Sequence, residues 1–261
     1  MNSVPHDYYL RFLDPIVYDD VLDFHSKGNY ILHPAFQPST ALHFIDEKHL
    51  ERLTGNELRL YPDMDICLPT RINKTSSPLN RNESCEKFTK ANITFDLIED
   101  LVSPLISKNT DHYKRGYPSG GALYPIEVFI CSLMSDEPTW PCPEKILHLL
   151  PQSAKFEIVQ NSECTNELRS AILSTSGTIG TPSLAIIYIA YLPKTMFKYR
   201  YRGYRLALME AGSIYMLIDL QAKNLNLQSR LWSAYTDSML CKSLGLNPAL
   251  FLPLSVQFVG E

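Results

Sequence analysis

Apolar residues along the chain recur with two kinds of pattern, one typical of helices and the other of strands. Helical spacing predicts helices over residues 17–24, 49–53, 94–106, 166–173, 206–222 and 238–244. Runs rich in β-branched and aromatic residues predict strands over residues 126–133, 146–150, 155–159, 183–192 and 254–259. This mixed order of helices and strands indicates an α+β fold around a central sheet.

Two of these elements are more apolar than a surface position requires. The strand over residues 183–192 is almost continuously apolar, so both of its faces should be buried. The helix over residues 206–222 is broken by few charges, among them Glu210 and Asp219, which places it at the centre of a domain or of a dimer. No apolar run approaches the roughly 20 residues that a membrane helix needs.

A change of composition divides the chain into parts. Residues 70–92 are rich in Asn, Ser, Thr, Lys and Arg, which predicts a long polar loop. The loop would separate an N-terminal appendage, residues 1–69, from a main domain over residues 93–261. A loop of this length is either functional or loosely ordered.

Charge and cysteine content narrow the class of protein. The 261 residues carry a formal net charge of -4, so no overall basic field points to nucleic acid. The N-terminus has no uninterrupted apolar core of signal-peptide length, so we expect a cytoplasmic protein. The six cysteines show no C-x-x-C spacing and no histidine pair at zinc spacing, so we expect reduced thiols and no metal site.

The first segment that could carry chemistry is Arg115-Gly-Tyr-Pro-Ser-Gly-Gly-Ala-Leu-Tyr-Pro125. Its residues 118–121 form a turn where the backbone can approach a ligand closely. Backbone N–H groups in such a turn can donate to an anion or to a heterocycle edge, and Arg115 could contribute charge to a phosphate. A plain glycine turn is the alternative, and neither glycine-rich nucleotide motif is present.

The second segment, Lys198-Tyr-Arg-Tyr-Arg-Gly-Tyr-Arg205, places four cations and three tyrosines within eight residues. Cations interleaved with aromatic rings can grip single-stranded nucleic acid. They can equally hold the phosphate and the flat ring of a flavin nucleotide, and a lysine beside a tyrosine can transfer a proton. The alternative is a solvated strand end, in which neighbouring side chains would point to opposite sides.

The third segment, Gln228-Ser-Arg-Leu-Trp-Ser-Ala-Tyr-Thr-Asp237, is predicted to link the buried helix to the next short helix. The small residues Ser233 and Ala234 follow Trp232, so the backbone there could pass close to a ligand. Taken alone, this segment is weak evidence of a site.

Together and in this order, the segments resemble the nitroreductase-fold dehydrogenases of azole-peptide synthetases, in particular those of the microcin-B type. The likeness extends to Leu208-Met-Glu-x-Gly212, Tyr235-Thr-Asp-Ser238 and Asp23-Phe-His-x-x-Gly-Asn29, and it covers most of the chain. General nitroreductases read Pro-Ser-x-x-Asn-x-Gln-Pro at the first segment. Ala122 and Tyr124 stand at the Asn and Gln positions here, which favours azoline dehydrogenases over nitro or quinone reductases.

The resemblance implies an FMN-dependent enzyme that oxidises thiazolines and oxazolines of a ribosomal, microcin-like precursor peptide to thiazoles and oxazoles. It implies a nitroreductase-like fold, with a mostly antiparallel central sheet flanked by helices and an N-terminal appendage. FMN would lie at a homodimer interface, and the enzyme would assemble with E1-like and YcaO-like cyclodehydratase subunits. The cofactor would carry the redox chemistry while the protein orients ring and base.

The resemblance also implies roles for particular residues. The backbone of Pro118, Ser119 and Gly120 would line the isoalloxazine edge, and Ser233 and Ala234 would pass near its reactive nitrogen. Candidates for the phosphate are Arg115, Arg202 and Arg205, with Arg81 from the polar loop. The pair Lys198 and Tyr199 takes the role of the base, and which of the two is the base stays open.

Three other interpretations compete with this one. The chain could be a nitro or quinone reductase that uses a nicotinamide cofactor. It could be a structural subunit that holds a synthetase together without flavin. Binding of single-stranded RNA through residues 198–205 is a third possibility, which the negative net charge disfavours.

Overall fold

The computed structural model describes residues 8–29, 46–54, 60, 77–107, 114–134, 140, 145–159, 163–173 and 179–261. The helices are α1 (Pro15–Ser26), α2 (Glu47–Thr54), α3 (Phe95–Val102), α4 (Glu163–Ile172), α5 (Pro193–Tyr199), α6 (Tyr201–Asn224) and α7 (Asp237–Ser243). The strands are β1 (Ile126–Ser132), β2 (Ile146–Leu150), β3 (Lys155–Val159), β4 (Leu184–Tyr191), β5 (Gln228–Trp232) and β6 (Phe251–Gly260). The α+β fold predicted from the sequence is confirmed.

The six strands form one sheet in the order β3-β2-β1-β4-β6-β5, and every neighbouring pair is antiparallel. Strand β4 lies inside this sheet, and all eight of its residues are buried, as its apolar run predicts. Helices α1, α3 and α6 supply side chains to the core on one face of the sheet, while α4 and α7 pack on the other. The sheet therefore separates two apolar layers.

The predicted helix over residues 94–106 is shorter than its apolar spacing suggests. Thr94 caps it, because the Thr94 hydroxyl accepts a hydrogen bond from the N–H of Leu97. The α-helix ends at Val102, and residues 103–105 continue as one 3-10 turn. Pro104 has no N–H to donate to the preceding helical turn, which explains the change.

Two elements were missed by the sequence analysis. Residues 193–199 form helix α5, so the alternative interpretation of a solvated strand end at Lys198 and Tyr199 is wrong. Residues 228–232, predicted as part of a link between helices, form edge strand β5. Arg200 separates α5 from α6 with φ 51° and ψ -134°, a conformation that neither helix can contain.

The N-terminal helix shares the core of the main domain. Asp14 caps α1 by accepting hydrogen bonds from the N–H groups of Ile16 and Val17. The buried face of α1, with Val17 and Val21, belongs to the same apolar cluster as α6. The predicted appendage ends at residue 69, outside the described residues, so this division of the chain stays a prediction.

The described part of the predicted polar loop, residues 77–92, runs along the β5 edge. The N–H of Cys85 donates to the carbonyl of Ser229 at 3.0 Å, and Arg230 donates to the carbonyl of Cys85 at 2.9 Å. Phe88 is 2% exposed and bridges to Gly180. The segment thus protects the edge strand.

Two further findings concern the described ranges only. No helix in them is long and apolar enough to cross a bilayer. No group of three His, Cys, Asp or Glu side chains there is arranged to hold a metal ion.

Candidate active site

The turn before β1 is strained and internally hydrogen-bonded. Gly121, Ala122 and Tyr124 all have left-handed φ values, of 65°, 54° and 49°. Two of these three are not glycine, and each such residue costs about 1–2 kcal/mol. The N–H of Tyr124 donates to the Ser119 hydroxyl at 2.8 Å, which closes the turn. Backbone strain of this kind is concentrated at functional sites.

Arg115 stabilises the turn by contacting two of its tyrosines, Tyr117 and Tyr124. Its N–H donates to the Tyr124 hydroxyl at 3.0 Å, and its guanidinium lies 4.3 Å from the centroid of the Tyr124 ring. The same guanidinium donates to the Tyr117 hydroxyl at 2.8 Å. Burial, only partly offset by Arg115, raises the pKa of Tyr117, so this hydroxyl stays neutral. Arg115, predicted as a phosphate ligand, is therefore already engaged within the turn.

A cleft of about 780 Å³ lies between this turn and one face of α6. Pro118, Ser119 and Gly120 line it, as the sequence analysis predicts for ligand-contacting residues. The α6 residues that line it recur at helical spacing: Leu206, Met209, Glu210, Gly212, Ser213, Met216 and Leu217. A β-carbon on Gly120 would lie 2.8 Å from the Leu206 side chain, so the turn packs directly on the helix.

Lys198 and Tyr199 meet the turn at Gly121. A β-carbon built on Gly121 would lie 2.6 Å from the Tyr199 hydroxyl and 3.2 Å from Lys198 Nζ. The Lys198 Nζ lies 5.2 Å from the centroid of the Tyr199 ring. Both residues belong to the last turn of helix α5, where neighbouring side chains do not point to opposite sides as they would in a strand. Both can therefore reach the same glycine. The structure thus brings the predicted base pair to the edge of the turn that lines the cleft.

Arg200, which has a positive φ and follows Lys198 and Tyr199, is held in place by the N-terminal helix α1. Arg200 Nη2 lies 2.9 Å from a carboxylate oxygen of Asp14, the cap of α1. The N–H of Val17, followed by the charge of Arg200, lowers the pKa of Asp14. Tyr201 donates a short hydrogen bond to Asp20, also on α1. Helix α1 therefore helps to fix where α5 ends.

Arg202 and Arg205 lie on the first turns of α6 and are exposed. Neither makes an ion pair with the described residues. No side chain caps the N-terminus of α6, and in its first turn the N–H of Gly203 donates to the Arg200 carbonyl at 2.9 Å. Two free guanidinium groups beside the positive end of a helix form a setting suited to a phosphate.

Arg81, the fourth phosphate candidate, is engaged elsewhere. Its Nε donates to the carboxylate of Asp219 at 2.8 Å, and that carboxylate also accepts a short hydrogen bond from Ser229. Asp219 lies fourteen residues after Arg205 on α6, roughly 21 Å along the helix axis. The structure therefore does not bring Arg81 together with Arg202 and Arg205 in one chain.

Ser233 and Ala234 lie away from the cleft within a single chain. They follow β5, which is three strands from β1 in the sheet, or about 14 Å at the usual spacing. Ala234 accepts a hydrogen bond from the Trp232 indole at 2.7 Å, and Ser233 is exposed. These two residues can contact a ligand in the cleft only if it is the cleft of a second chain.

A second cavity, of about 510 Å³, lies on the other side of Arg115, and the sequence analysis did not predict it. Its charged residues are paired: Glu127 contacts Lys194 and His148, each at 3.2 Å, and His148 contacts Glu157 at 2.9 Å. Burial opposes ionisation of Glu127, but Lys194 and His148 outweigh it and lower its pKa to about 2. Burial likewise opposes ionisation of His148, but the two glutamates raise its pKa.

Glu210 is the carboxylate that the sequence analysis noted only as an interruption of an apolar helix. It is 2% exposed and lines the cleft beside Ser119. Neither of its carboxylate oxygens has a hydrogen-bond partner among the described residues. Burial raises its pKa to about 7, a rise that nearby Ser119 and the Ile126 amide only partly oppose.

Comparison with known proteins shows the family of this chain. The chain is 35% identical to the microcin B17-processing protein McbC of Escherichia coli over 252 residues, which are 96% of this chain and 93% of McbC. It also matches a chain of the E. coli microcin synthetase McbBCD complex with truncated pro-MccB17 bound. That match has a TM-score of 0.87 at 35% identity and covers 100% of this chain and 98% of the other.

More distant structures share the fold alone. A nitroreductase-type protein of Ralstonia eutropha is 15% identical with a TM-score of 0.58, over 74% of this chain and 87% of its own. Another, from Anabaena variabilis, is 17% identical with a TM-score of 0.55, over 92% of this chain and 46% of its own. No protein-family model matches the sequence. The chain has a nitroreductase-like fold, and it belongs to the family of the microcin B17-processing protein McbC.

Proposed function

We propose that this protein is an FMN-dependent dehydrogenase that oxidises thiazolines and oxazolines of a microcin-like precursor peptide to thiazoles and oxazoles. The observation that carries the proposal is the contact of Lys198 and Tyr199 with Gly121, at the edge of the cleft. It supports a proton-accepting role for this pair, because the pair lies beside a space large enough for a flavin ring. Membership of the McbC family supports the same substrate class.

The residues of the cleft fit a flavin. Its volume of about 780 Å³ lies within the usual range for cofactor sites, roughly 300–1,000 Å³. The backbone of Pro118, Ser119 and Gly120 would contact the ring edge, and the apolar side chains of α6 would cover its face. Arg202 and Arg205 would bind the phosphate at the start of α6. Bound FMN would supply the acceptor for the hydride that the azoline ring loses.

The protein's own part in the reaction is to remove the accompanying proton. Tyr199 is half-buried against the turn, while Lys198 is exposed in a single chain. A second chain or a bound peptide would cover Lys198 and exclude water from it. The Tyr199 hydroxyl and Lys198 Nζ both reach Gly121, so either could accept the proton of a ring bound beside that glycine. General acid–base catalysis of this kind contributes about 10²–10⁴-fold in rate.

The site requires a homodimer. Helix α6 presents a face of Leu208, Met209, Gly212 and Met216, and the three side chains are 42%, 69% and 40% exposed. A β-carbon on Gly212 would meet nothing within 4 Å, so a second helix can approach closely there. Pairing of two α6 helices would cover this apolar face. It would also bring Ser233 and Ala234 of one chain towards the cleft of the other.

We further propose that the dimer assembles with E1-like and YcaO-like cyclodehydratase subunits and receives its azoline peptide from them. The support is the likeness over the whole chain to a subunit of a microcin synthetase complex that holds a peptide.

The test combines cofactor analysis with peptide mass spectrometry. The purified protein should be yellow and release one FMN per chain, and with its cyclodehydratase partners it should convert azolines to azoles. Each ring then becomes about 2 Da lighter, because two hydrogens leave. A protein that binds FAD, or none after addition of FMN, would contradict the proposal. So would an FMN protein that leaves azolines intact while it reduces nitroaromatics with a nicotinamide cofactor.

A further inference from the structure

Glu210 is 2% exposed, and its carboxylate makes no ion pair with the described residues. By contrast, buried Asp219 is paired with Arg81 and Ser229, and half-buried Glu127 is paired with Lys194 and His148. The Ser119 hydroxyl and the Ile126 N–H face the Glu210 carboxylate, but neither makes a hydrogen bond of ordinary geometry with it. Burying an unpaired carboxylate is costly, so a fold that only needed packing there would carry an apolar residue.

The cations nearest to Glu210 are engaged with other residues. Arg115 donates to Tyr117, and Lys194 contacts Glu127 on β1. Ser119 and Tyr117 face the carboxyl from the turn, and the Ile126 N–H faces it from β1. Burial dominates and raises the pKa of Glu210 to about 7, although Ser119, the Ile126 N–H and the charges of Arg115 and Lys194 act to lower it. The carboxyl is therefore able to gain or lose a proton near neutral pH.

Glu210 also lines the cleft in which the proposed function places the flavin. Each hydride that enters this cleft adds one negative charge near a carboxyl that is already shielded from water. A like charge in a buried site favours the protonated form of a carboxyl. The geometry thus couples the protonation of Glu210 to the reduction of whatever acceptor the cleft holds.

We propose that Glu210 binds a proton from solvent when a hydride is delivered into the cleft, and releases it when the two electrons leave to dioxygen. On reduction, an O–H bond forms at the Glu210 carboxylate. On reoxidation, that bond breaks, and its proton joins the transferred hydrogen and its two electrons on dioxygen to give hydrogen peroxide. This inference rests on the proposed function. It assigns Glu210 a role separate from the base pair Lys198 and Tyr199, which receives the proton of the azoline ring.

The experiment counts protons taken up when the FMN-loaded enzyme is reduced chemically without oxygen and without peptide. At about pH 8 the wild type should bind up to about one proton more per flavin than Glu210→Gln. At about pH 6, where Glu210 is already protonated, the two should agree. Glu99→Gln, which removes an exposed carboxylate from α3, should behave as the wild type does at both pH values.

A second measurement needs no variant at all. Infrared difference spectra of the wild type, reduced minus oxidised, should show the carbonyl band of a newly protonated carboxyl at about pH 8 but not at about pH 6. Equal proton counts in the wild type and Glu210→Gln at pH 8, or the absence of this band, would overturn the inference while leaving azoline oxidation intact. A chain that binds no FMN would overturn the inference and the proposed function together.

Discussion

The hydroxyl of Tyr199 lies against Gly121 so closely that a β-carbon on the glycine would be 2.6 Å from it. The contact joins the end of α5 to the turn that lines the cleft. Any change in the turn must therefore move the hydroxyl, and any change at the end of α5 must move the turn. The proposed ligand contact and the proposed proton transfer thus both depend on the contact between Gly121 and Tyr199.

Gly121→Ala should lose more activity than its loss of folding stability can explain. The left-handed φ of 65° costs an alanine about 1–2 kcal/mol of folding free energy, and the new methyl group also displaces Tyr199. Gly245→Ala is the matched control, because its φ is 66° and a β-carbon there meets nothing within 4 Å. We expect similar losses of stability by chemical denaturation. Only Gly121→Ala should lose azole formation, by about 10²-fold or more.

Lys198→Ala and Tyr199→Phe should slow azole formation by about 10²–10⁴-fold. Both should retain FMN, because neither residue lines the cleft that would hold the ring. Azoline peptides would accumulate and can be counted by mass spectrometry, while the FMN absorbance stays. If both variants oxidise azolines at near wild-type rates, the base lies elsewhere, with Tyr201 or Tyr204 next to be tested.

Met209→Glu should weaken the dimer and the binding of FMN together. Met209 is 69% exposed on the apolar face of α6, and a charge there would be buried between two chains. A cost of about 3 kcal/mol corresponds to a roughly 10²-fold higher dissociation constant, measurable by analytical ultracentrifugation. Met239→Glu changes an exposed methionine of α7 and should alter neither property. A Met209→Glu dimer of wild-type strength would show that this face is not the interface.

Arg81, which is paired with a buried carboxylate, and Arg205, which has no ion pair with the described residues, should respond differently to replacement by methionine. Arg81→Met leaves the buried carboxylate of Asp219 without its cation, so the free energy of unfolding should fall by about 3 kcal/mol. Arg205→Met removes an exposed and unpaired charge, so stability should hold while FMN binds about 10–100-fold more weakly. Thermal denaturation and flavin titration separate the two. Unchanged FMN affinity in Arg205→Met would remove Arg205 from the phosphate site.

Glu127 should make stability depend on pH in acid. Its pKa is about 2 in the folded chain and 4.5 ordinarily, so its contribution is full above about 4.5 and is lost as the pH falls through about 2. Glu127→Gln should lower the free energy of unfolding by about 1.5–3 kcal/mol near neutral pH. The difference from the wild type should shrink between pH 4.5 and pH 2. A difference that stays constant over this range would mean that Lys194 and His148 do not stabilise the ionised form.

The elements that the sequence predicted are those whose buried side chains are apolar, such as β4. Strand β5 was missed because it reverses this pattern: its buried position holds Ser229, and Leu231 is 40% exposed. Ser229 is buried because Asp219 needs its hydroxyl, and no local pattern reveals that need. Helix α5 was missed because it spans only seven residues, the first of which is Pro193.

For the site, the sequence singled out both the turn and the pair Lys198 and Tyr199, but not the contact between them. Gly121 and Tyr199 are distant in the chain, and the packing of α6 against both α5 and the turn brings them together. The sequence also could not show that Glu210 lacks an ion pair with the described residues. That property depends on Arg115 contacting Tyr117 and on Lys194 contacting Glu127. Local patterns indicate what a residue can do, whereas three-dimensional packing decides which neighbours it has.

The ion pair between Asp14 and Arg200 also has a consequence during synthesis of the chain. Helix α1 leaves the ribosome first, yet its anchor is roughly 190 residues downstream, a delay of about 10–40 s at typical rates of translation. Throughout that delay, the face of α1 that is buried in the finished fold is exposed to water. Ile16 and Phe24 add to this apolar surface, because they are exposed even in the finished fold. The nascent chain therefore has to remain protected from aggregation until Arg200 has emerged, and the segment that carries Lys198 and Tyr199 is completed by a helix made long before it.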